Sequence, residues 1–279
     1  MKKRRQKIIY FLLDGFGILL AVIIFLIPFL FILINSLKER REAGLMKFSL
    51  PQTWEGMENY RTVIENNNYQ LIKAFGNSMF ISIATIIILI IVCSMAGYVL
   101  QRRKEKVSYF FQMLVLIGLM LPPSILPTIW VLDFLGLFPD VKGLILVETA
   151  LQIPFVTMLY RSYIATIPRE IEEAAAIDGC KNYQIYSRII FPLAKPVTAS
   201  VIVLTAVTVF NDFVNPLYFL PGAEHATVSL TMYSFIGQYG SYWNLLFADI
   251  VLISIPPLIL YSIFSKRIVD GVAGTSLKG

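Results

Sequence analysis

Residues 161–196 read RSYIATIPREIEEAAAIDGCKNYQIYSRIIFPLAKP, a polar segment between the apolar runs Gly143–Tyr160 and Val197–Leu220. Its first half has the makings of a short helix. Pro168 suits a first turn, Glu170, Glu172 and Glu173 complement the positive end of the dipole, and three alanines favour helix. Gly179 is placed to stop it. Ile171, Ala174 and Ile177 recur at helical spacing and make a narrow apolar face. Asn182 is placed to cap a second short helix, Tyr183–Phe191, which Pro192 ends. Two short helices joined at a glycine form a compact knob. On residues alone two readings stand: an amphipathic hairpin lying on lipid headgroups, or a knob that docks into a groove on another protein. Three acids in one turn weigh against an anionic lipid surface.

What flanks the knob identifies the solvent. The 279 residues are 57% hydrophobic and only 15% charged, with a mean hydropathy of +0.70. A soluble domain carries roughly 25% charged residues. Six apolar runs are long enough to cross about 30 Å of hydrocarbon: Ile8–Ile34, Met79–Leu100, Val107–Leu132, Gly143–Tyr160, Val197–Leu220 and Leu245–Phe264. Prolines interrupt most of them, which favours a bundle around a cavity over independent anchors. The composition excludes a soluble enzyme and predicts an all-α integral membrane protein, a single transmembrane domain over residues 1–279.

Charge placement predicts the orientation. Seventeen of the 24 Lys and Arg fall at the amino end, between runs two and three, in the 161–196 loop and in the tail. Seven fall on the other side, six of them diluted by glutamates in the first loop. The positive-inside rule puts both termini and the knob in the cytoplasm. Basic residues before an apolar run also suit a signal peptide, but this run is far longer than an h-region, so it reads as a retained first span. The net charge of +6 then reflects topology and contact with anionic membrane lipid, not nucleic acid.

Within the knob, Glu173-Ala174-Ala175 with Asp178-Gly179, Ile189 and Pro192 resembles the EAA loop of ABC importer permeases. The family pattern closes with Ile-x-Leu-Pro where this chain has Ile-Ile-Phe-Pro, so Phe191 is an apolar departure. The resemblance extends through Asn59-Tyr60, Asn77-Ser78, Asn211-Asp212-Phe213 with Pro216, Gly237-Gln238-Tyr239-Gly240 with Trp243, and the glycine-rich end Gly271–Gly279. The later markers are similar to the MalG-like branch, which serves carbohydrates. The resemblance implies a six-span MetI-like fold in a bacterial cytoplasmic membrane. It further implies a second homologous permease, two ATP-binding subunits that hold ATP and Mg, and an extracytoplasmic sugar-binding protein. By the same resemblance Glu172, Glu173, Ala174, Ala175, Ile177, Asp178, Gly179 and Pro192 couple to the ATPase, and Thr227, Val228, Ser229 and Leu230 face the binding protein. A loop kept free of cations for topology is the competing reading of that last stretch.

The chain carries no Gly-x-x-x-x-Gly-Lys-Ser/Thr, no metal-ligand spacing and no nucleophile–base constellation. It reads as a permease without its own ATPase site, cofactor or metal. Its single histidine, His225, reads as a surface residue. Intramembrane acids usually face a bundle interior or water. Asp14 reads as interfacial and Asp249 as solvated near the outer boundary, which leaves Glu148 and Asp212. Asp212 stands with Asn211 and Asn215, donors and acceptors that fit either hydroxyl-rich solutes in a translocation pathway or helix–helix bonding. Cys93 reads as a core residue and Cys180 as a reduced thiol. The resemblance therefore implies a sugar or oligosaccharide permease subunit driven by partner ATPases. An ion-coupled secondary transporter of a small polar solute, using Glu148 or Asp212, is the alternative; a membrane-embedded enzyme lacks its catalytic groups.

Overall fold

A proline pair and a capping aspartate break two of the apolar runs, whereas Pro28, Pro154, Pro256 and Pro257 lie inside continuous helices. A computed structural model describes the backbone of residues 2–222, 225–237 and 240–276, with side chains for 14–222, 225–237, 240–259 and 261–263. Gln238, Tyr239 and Leu277–Gly279 of the stretches quoted above lie outside the described residues. All described elements are helical: α1 (Lys2–Ser36), α2 (Arg40–Gly44), α3 (Gly56–Arg102), α4 (Lys106–Met120), α5 (Ile125–Phe134), α6 (Val141–Ile164) and α7 (Glu170–Ile177). They continue with α8 (Asn182–Ile185), a π-helical turn (Tyr186–Ile190), α9 (Phe191–Leu193), α10 (Lys195–Asn211), α11 (Val214–Phe219), α12 (Val228–Thr231), a 3-10 turn (Met232–Phe235) and α13 (Trp243–Ser276). Asp14–Ser36, Gly56–Arg102, Val141–Ile164 and Trp243–Ile263 are each long and apolar enough to cross a membrane. Asn182–Leu193 and Lys195–Asn211 form a further pair bent by 69°.

Two of the six expected spans are broken. Val107–Leu132 is two helices, because Pro122 and Pro123 offer no N–H and the residue before a proline is held extended; Leu121 sits at φ −78°, ψ 127°. Val197–Leu220 stops at Asn211, where Asp212 turns extended (φ −67°, ψ 131°) and its Oδ1 accepts from the Val214 N–H at 2.9 Å. Met79–Leu100 is the later part of a helix that starts at Gly56 and leaves helical geometry at Asn66–Tyr69.

The chain divides into two compact units, Met1–Leu71 with Thr231–Ser254, and Ile72–Leu230 with Ile255–Gly279. In the first, the loop after α1 is tied down by amides. Asn59 Nδ2 donates to the Ser36 and Lys38 carbonyls (2.9 and 2.8 Å), satisfying the orphan end of α1, and Asn244 Nδ2 donates to Asn59 Oδ1 at 2.7 Å. Lys38 is fully buried, its ammonium donating to Asn35 Oδ1, the Lys47 carbonyl and Ser49 Oγ at the negative end of α1.

The second unit has two cores. One surrounds Tyr160, with Leu89, Cys93, Val156, Ala175, Ile190 and Val201; the other holds Ile81, Leu132, Leu144, Val209 and Phe219. Glycines set the closest approaches: a Cβ at Gly97 would meet Tyr160 Cβ at 2.7 Å, and one at Gly118 would meet Pro154 Cγ at 2.8 Å. The apolar side chains of α1 from Phe16 to Leu30 are exposed, as lipid-solvated surface is.

Candidate functional site

The knob is a helix with one side locked and one side free. α7 begins at Glu170, two residues after Pro168, with Glu172 and Glu173 donating backbone N–H groups to the Arg169 carbonyl (2.9 and 3.0 Å). At its other end the Cys180 N–H reaches the Ala175 carbonyl and the Gly179 N–H the Ala176 carbonyl. That is a Schellman closure, and it requires the left-handed backbone that Gly179 adopts at φ +84°. The expected glycine stop is present.

The second helix differs from expectation at both ends. Asn182 is its first residue, not its cap; Gln184 Oε1 accepts from the Lys181 N–H at 2.8 Å instead. Pro192 does not end it. The wide π turn at Tyr186–Ile190 spreads the carbonyls that a proline ring would strike, so the chain runs on to Leu193 before bending.

Glu172 and Glu173 point to different sides. Glu172 Oε1 accepts from Arg102 Nε at 2.6 Å and Oε2 from the Tyr98 hydroxyl at 2.9 Å, while Arg102 Nη2 donates to the Ile167 carbonyl at 2.9 Å. The two charged side chains are 12% and 15% exposed. Ala175 is buried in the core beside them. Glu173, Ala174, Asp178 and Gly179 are exposed, and Ile177 is 86% exposed. The structure thus separates the eight coupling candidates: Glu172 and Ala175 anchor α7 to the end of α3, Pro192 shapes the exit, and Glu173, Ala174, Ile177, Asp178 and Gly179 form an outward face. Sequence reasoning missed Tyr98 and Arg102. The available signal was their spacing, one helical turn apart on the last turns of α3.

The polar cluster is rearranged. Glu148, nearly fully buried on α6, accepts from Asn215 Nδ2 at 3.1 Å. Asp212 Oδ1 accepts from the backbone of Val214 and Asn215 and so starts α11. Asn211 and Asn215 do not share a helix face, because the helix ends between them; Asn211 is exposed. Glu148, Asp212 and Asn215 are brought together, and Asn211 is not.

Thr227–Leu230 is also placed differently. Thr227, Val228 and Ser229 are buried and Leu230 is half-buried. Asn77 Nδ2 donates to the Ala226 carbonyl, Ser78 Oγ accepts from the Val228 N–H, and Ser229 Oγ reaches the Phe210 carbonyl. These side chains hold the loop against its own unit and are not a free surface for another protein. His225 is exposed as expected, and its neighbour Glu224 lies outside the described residues. Asp249, expected in water, is fully buried and accepts from Thr231 Oγ1 at 2.9 Å.

The family model described as "Binding-protein-dependent transport system inner membrane component" matches residues 94–273, which contain the knob and the polar cluster. The chain belongs to this family. It is 31% identical over 277 residues to the probable starch degradation products transport system permease protein AmyC of Thermoanaerobacterium thermosulfurigenes, covering 99% of each chain. It is 29% identical to the melibiose/raffinose/stachyose import permease protein MelC of Bacillus subtilis, covering 91% of each. Among solved structures, a chain of a bacterial ABC transporter involved in the import of the acidic polysaccharide alginate aligns with a TM-score of 0.76 at 20% identity, over 95% of this chain and 97% of that one. A chain of the alginate transporter in complex with a pentasaccharide-bound periplasmic protein aligns with a TM-score of 0.68 at 15% identity, over 94% and 93%. At those identities the structures show the fold alone. The chain is therefore a multi-pass inner-membrane permease component of an ABC transport system with the MetI-like fold.

Proposed function

We propose that this permease imports sugars or oligosaccharides across a bacterial cytoplasmic membrane, with both termini and α7 in the cytoplasm. The bent pair α8–α10 and the proline-broken pair α4–α5 would supply the two crossings beyond the four long helices, making six. The working assembly pairs the chain with a second homologous permease, two ATP-binding subunits and an extracytoplasmic sugar-binding protein. ATP and Mg belong to the ATP-binding subunits; this chain contributes no catalytic group or cofactor site.

The single observation that carries the mechanism is the division of α7. An element that transmits force must be stiff towards its own subunit and free towards its driver. The Arg102–Glu172–Tyr98 cluster supplies the first property, and the Glu173–Ile177 face supplies the second. Closure of the ATP-binding subunits would move α7 as a rigid body, and the spans fixed to it would switch between inward- and outward-facing states. The sugar assignment is supported by the carbohydrates named for the related permeases AmyC and MelC and by the neutral amide of Asn215 beside Glu148. Proteoliposomes holding the complex with its co-purifying subunits test it. Uptake of a labelled oligosaccharide should require internal ATP and added binding protein. Uptake driven by an ion gradient through this chain alone would overturn the reading.

A further inference from the structure

Two cavities in the second unit join at the inner end of α3. The larger, about 590 Å³, is an apolar crevice opening between α3, α4 and α6, lined by Ala96, Val99, Phe111, Val115, Ala150 and Ile153. Its volume lies within the roughly 300–1,000 Å³ of small-molecule sites. The smaller, about 310 Å³, is lined by Arg103, Lys104, Arg161 and Arg169 with Ser108 and Gln112, and by no acid. Leu100, Arg103 and Ser108 line both, so an occupant can extend from one to the other. Glu105 is the one acid on the crevice.

None of these four cations forms an ion pair among the described residues, in contrast to Arg102, one position before Arg103, which Glu172 neutralises. Arg161 Nε is buried without a hydrogen-bond partner among the described residues. A buried donor of that kind costs free energy unless an acceptor meets it. Phosphate oxygens are suited to guanidinium groups, which grip them in pairs. A soluble phosphate would fill the basic cavity and leave the apolar crevice empty of apolar contact. A helix from another subunit would cover the crevice and leave four cations unpaired. One molecule meets both demands.

We propose that this joined cavity binds an anionic phospholipid, with an acyl chain along α3, α4 and α6 and the phosphate among Arg103, Lys104, Arg161 and Arg169. Lipid headgroups of that sign collect where basic residues edge a membrane span. Arg169 also accepts the first backbone bonds of α7 on its carbonyl, so the bound lipid touches the segment that leads into the coupling helix. The site requires only that the chain spans a bilayer and is independent of which solute crosses.

The test is native mass spectrometry on the full chain, delipidated in detergent together with its co-purifying subunits and titrated with dioleoylphosphatidylglycerol or dioleoylphosphatidylcholine. Retention of the anionic lipid should exceed that of the zwitterionic one at least about tenfold, and each cation removed, in Arg103→Gln and Arg161→Gln, should weaken it about fivefold. Ala150→Phe, which fills the apolar part, should weaken both lipids. Equal retention of the two lipids by the unaltered protein would overturn the proposal whatever the variants do. So would unchanged retention in Ala150→Phe, or full competition by glycerol 3-phosphate, which marks a site for soluble phosphate.

Discussion

The α7 knob and the polar cluster of the second unit use acids in contrasting ways. In the knob, two adjacent glutamates are split: Glu172 is drawn inward to a cation 70 positions earlier, and Glu173 is left in solvent. In the cluster, Glu148 has no cation among the described residues and is met by the neutral amide of Asn215, while Asp212 binds backbone. The first arrangement is an ion pair that fixes one helix on another, and its strength comes from charge in a mostly dry place. The second is one amide–carboxylate hydrogen bond between α6 and α11 beside the local bonds with which Asp212 starts α11, each weaker than an ion pair. Under the proposed function the ion pair lies where force would enter, and the neutral amide where a solute would pass.

Substitutions that separate the two regions rank by what they leave behind. Arg102→Ala should act most strongly, because Glu172, largely shielded from solvent, loses its cation and keeps only Tyr98, a loss of about 1.5–3 kcal/mol for a charged hydrogen bond. Hydrogen exchange should then show residues 165–181 opening while the Tyr160 core stays protected. Unchanged protection there would mean that α7 is held by its apolar contacts alone.

Asn215→Ala should cost less, about 0.6–2 kcal/mol for one bond between helices in a membrane. Its expected signature is an altered uptake rate in a normally assembled complex. Loss of assembly would assign the cluster to packing, and no change in either would remove it from both roles.

Asp212 gives the smallest effect of the three. Asp212→Ala should cost about 1 kcal/mol as a lost helix start, and Asp212→Asn, which keeps an acceptor, only a few tenths. Thermal unfolding of the assembled complex distinguishes them. Equal costs for both would show that the carboxylate's charge, and not its capping bond, matters.

The same contrast explains what the amino-acid order made legible. α7 was readable because every cue is local: acids in the first turn, alanines, and a glycine at the one position where φ is +84°. The expected apolar edge Ile171–Ala174–Ile177 is exposed as an edge for another surface must be. The cluster is only partly legible: an unbroken Val197–Leu220 helix would put Asn211 and Asn215 on one face, but Asp212 competes for the backbone and ends the helix between them. Pro122-Pro123 divided the third apolar run for a related reason: hydropathy is indifferent to a missing donor, and the helix is not. Partners such as Arg102 for Glu172, or Ser78 for Val228, are separated by 70 and 150 residues, and no local pattern encodes them. The burial of Thr227–Ser229 belongs to that class.

The central claim is that α7 is locked on its Glu172 side and drives the permease through its Glu173 side. Binding-protein-stimulated ATP hydrolysis by the reconstituted complex carrying Glu173→Lys tests this directly. Glu173 is exposed and pairs with nothing among the described residues, so the substitution should leave thermal stability within about 0.5 kcal/mol of the unaltered chain. Stimulation should nevertheless be lost. Normal stimulation in an intact complex would contradict the claim and return the knob to a hairpin resting on lipid.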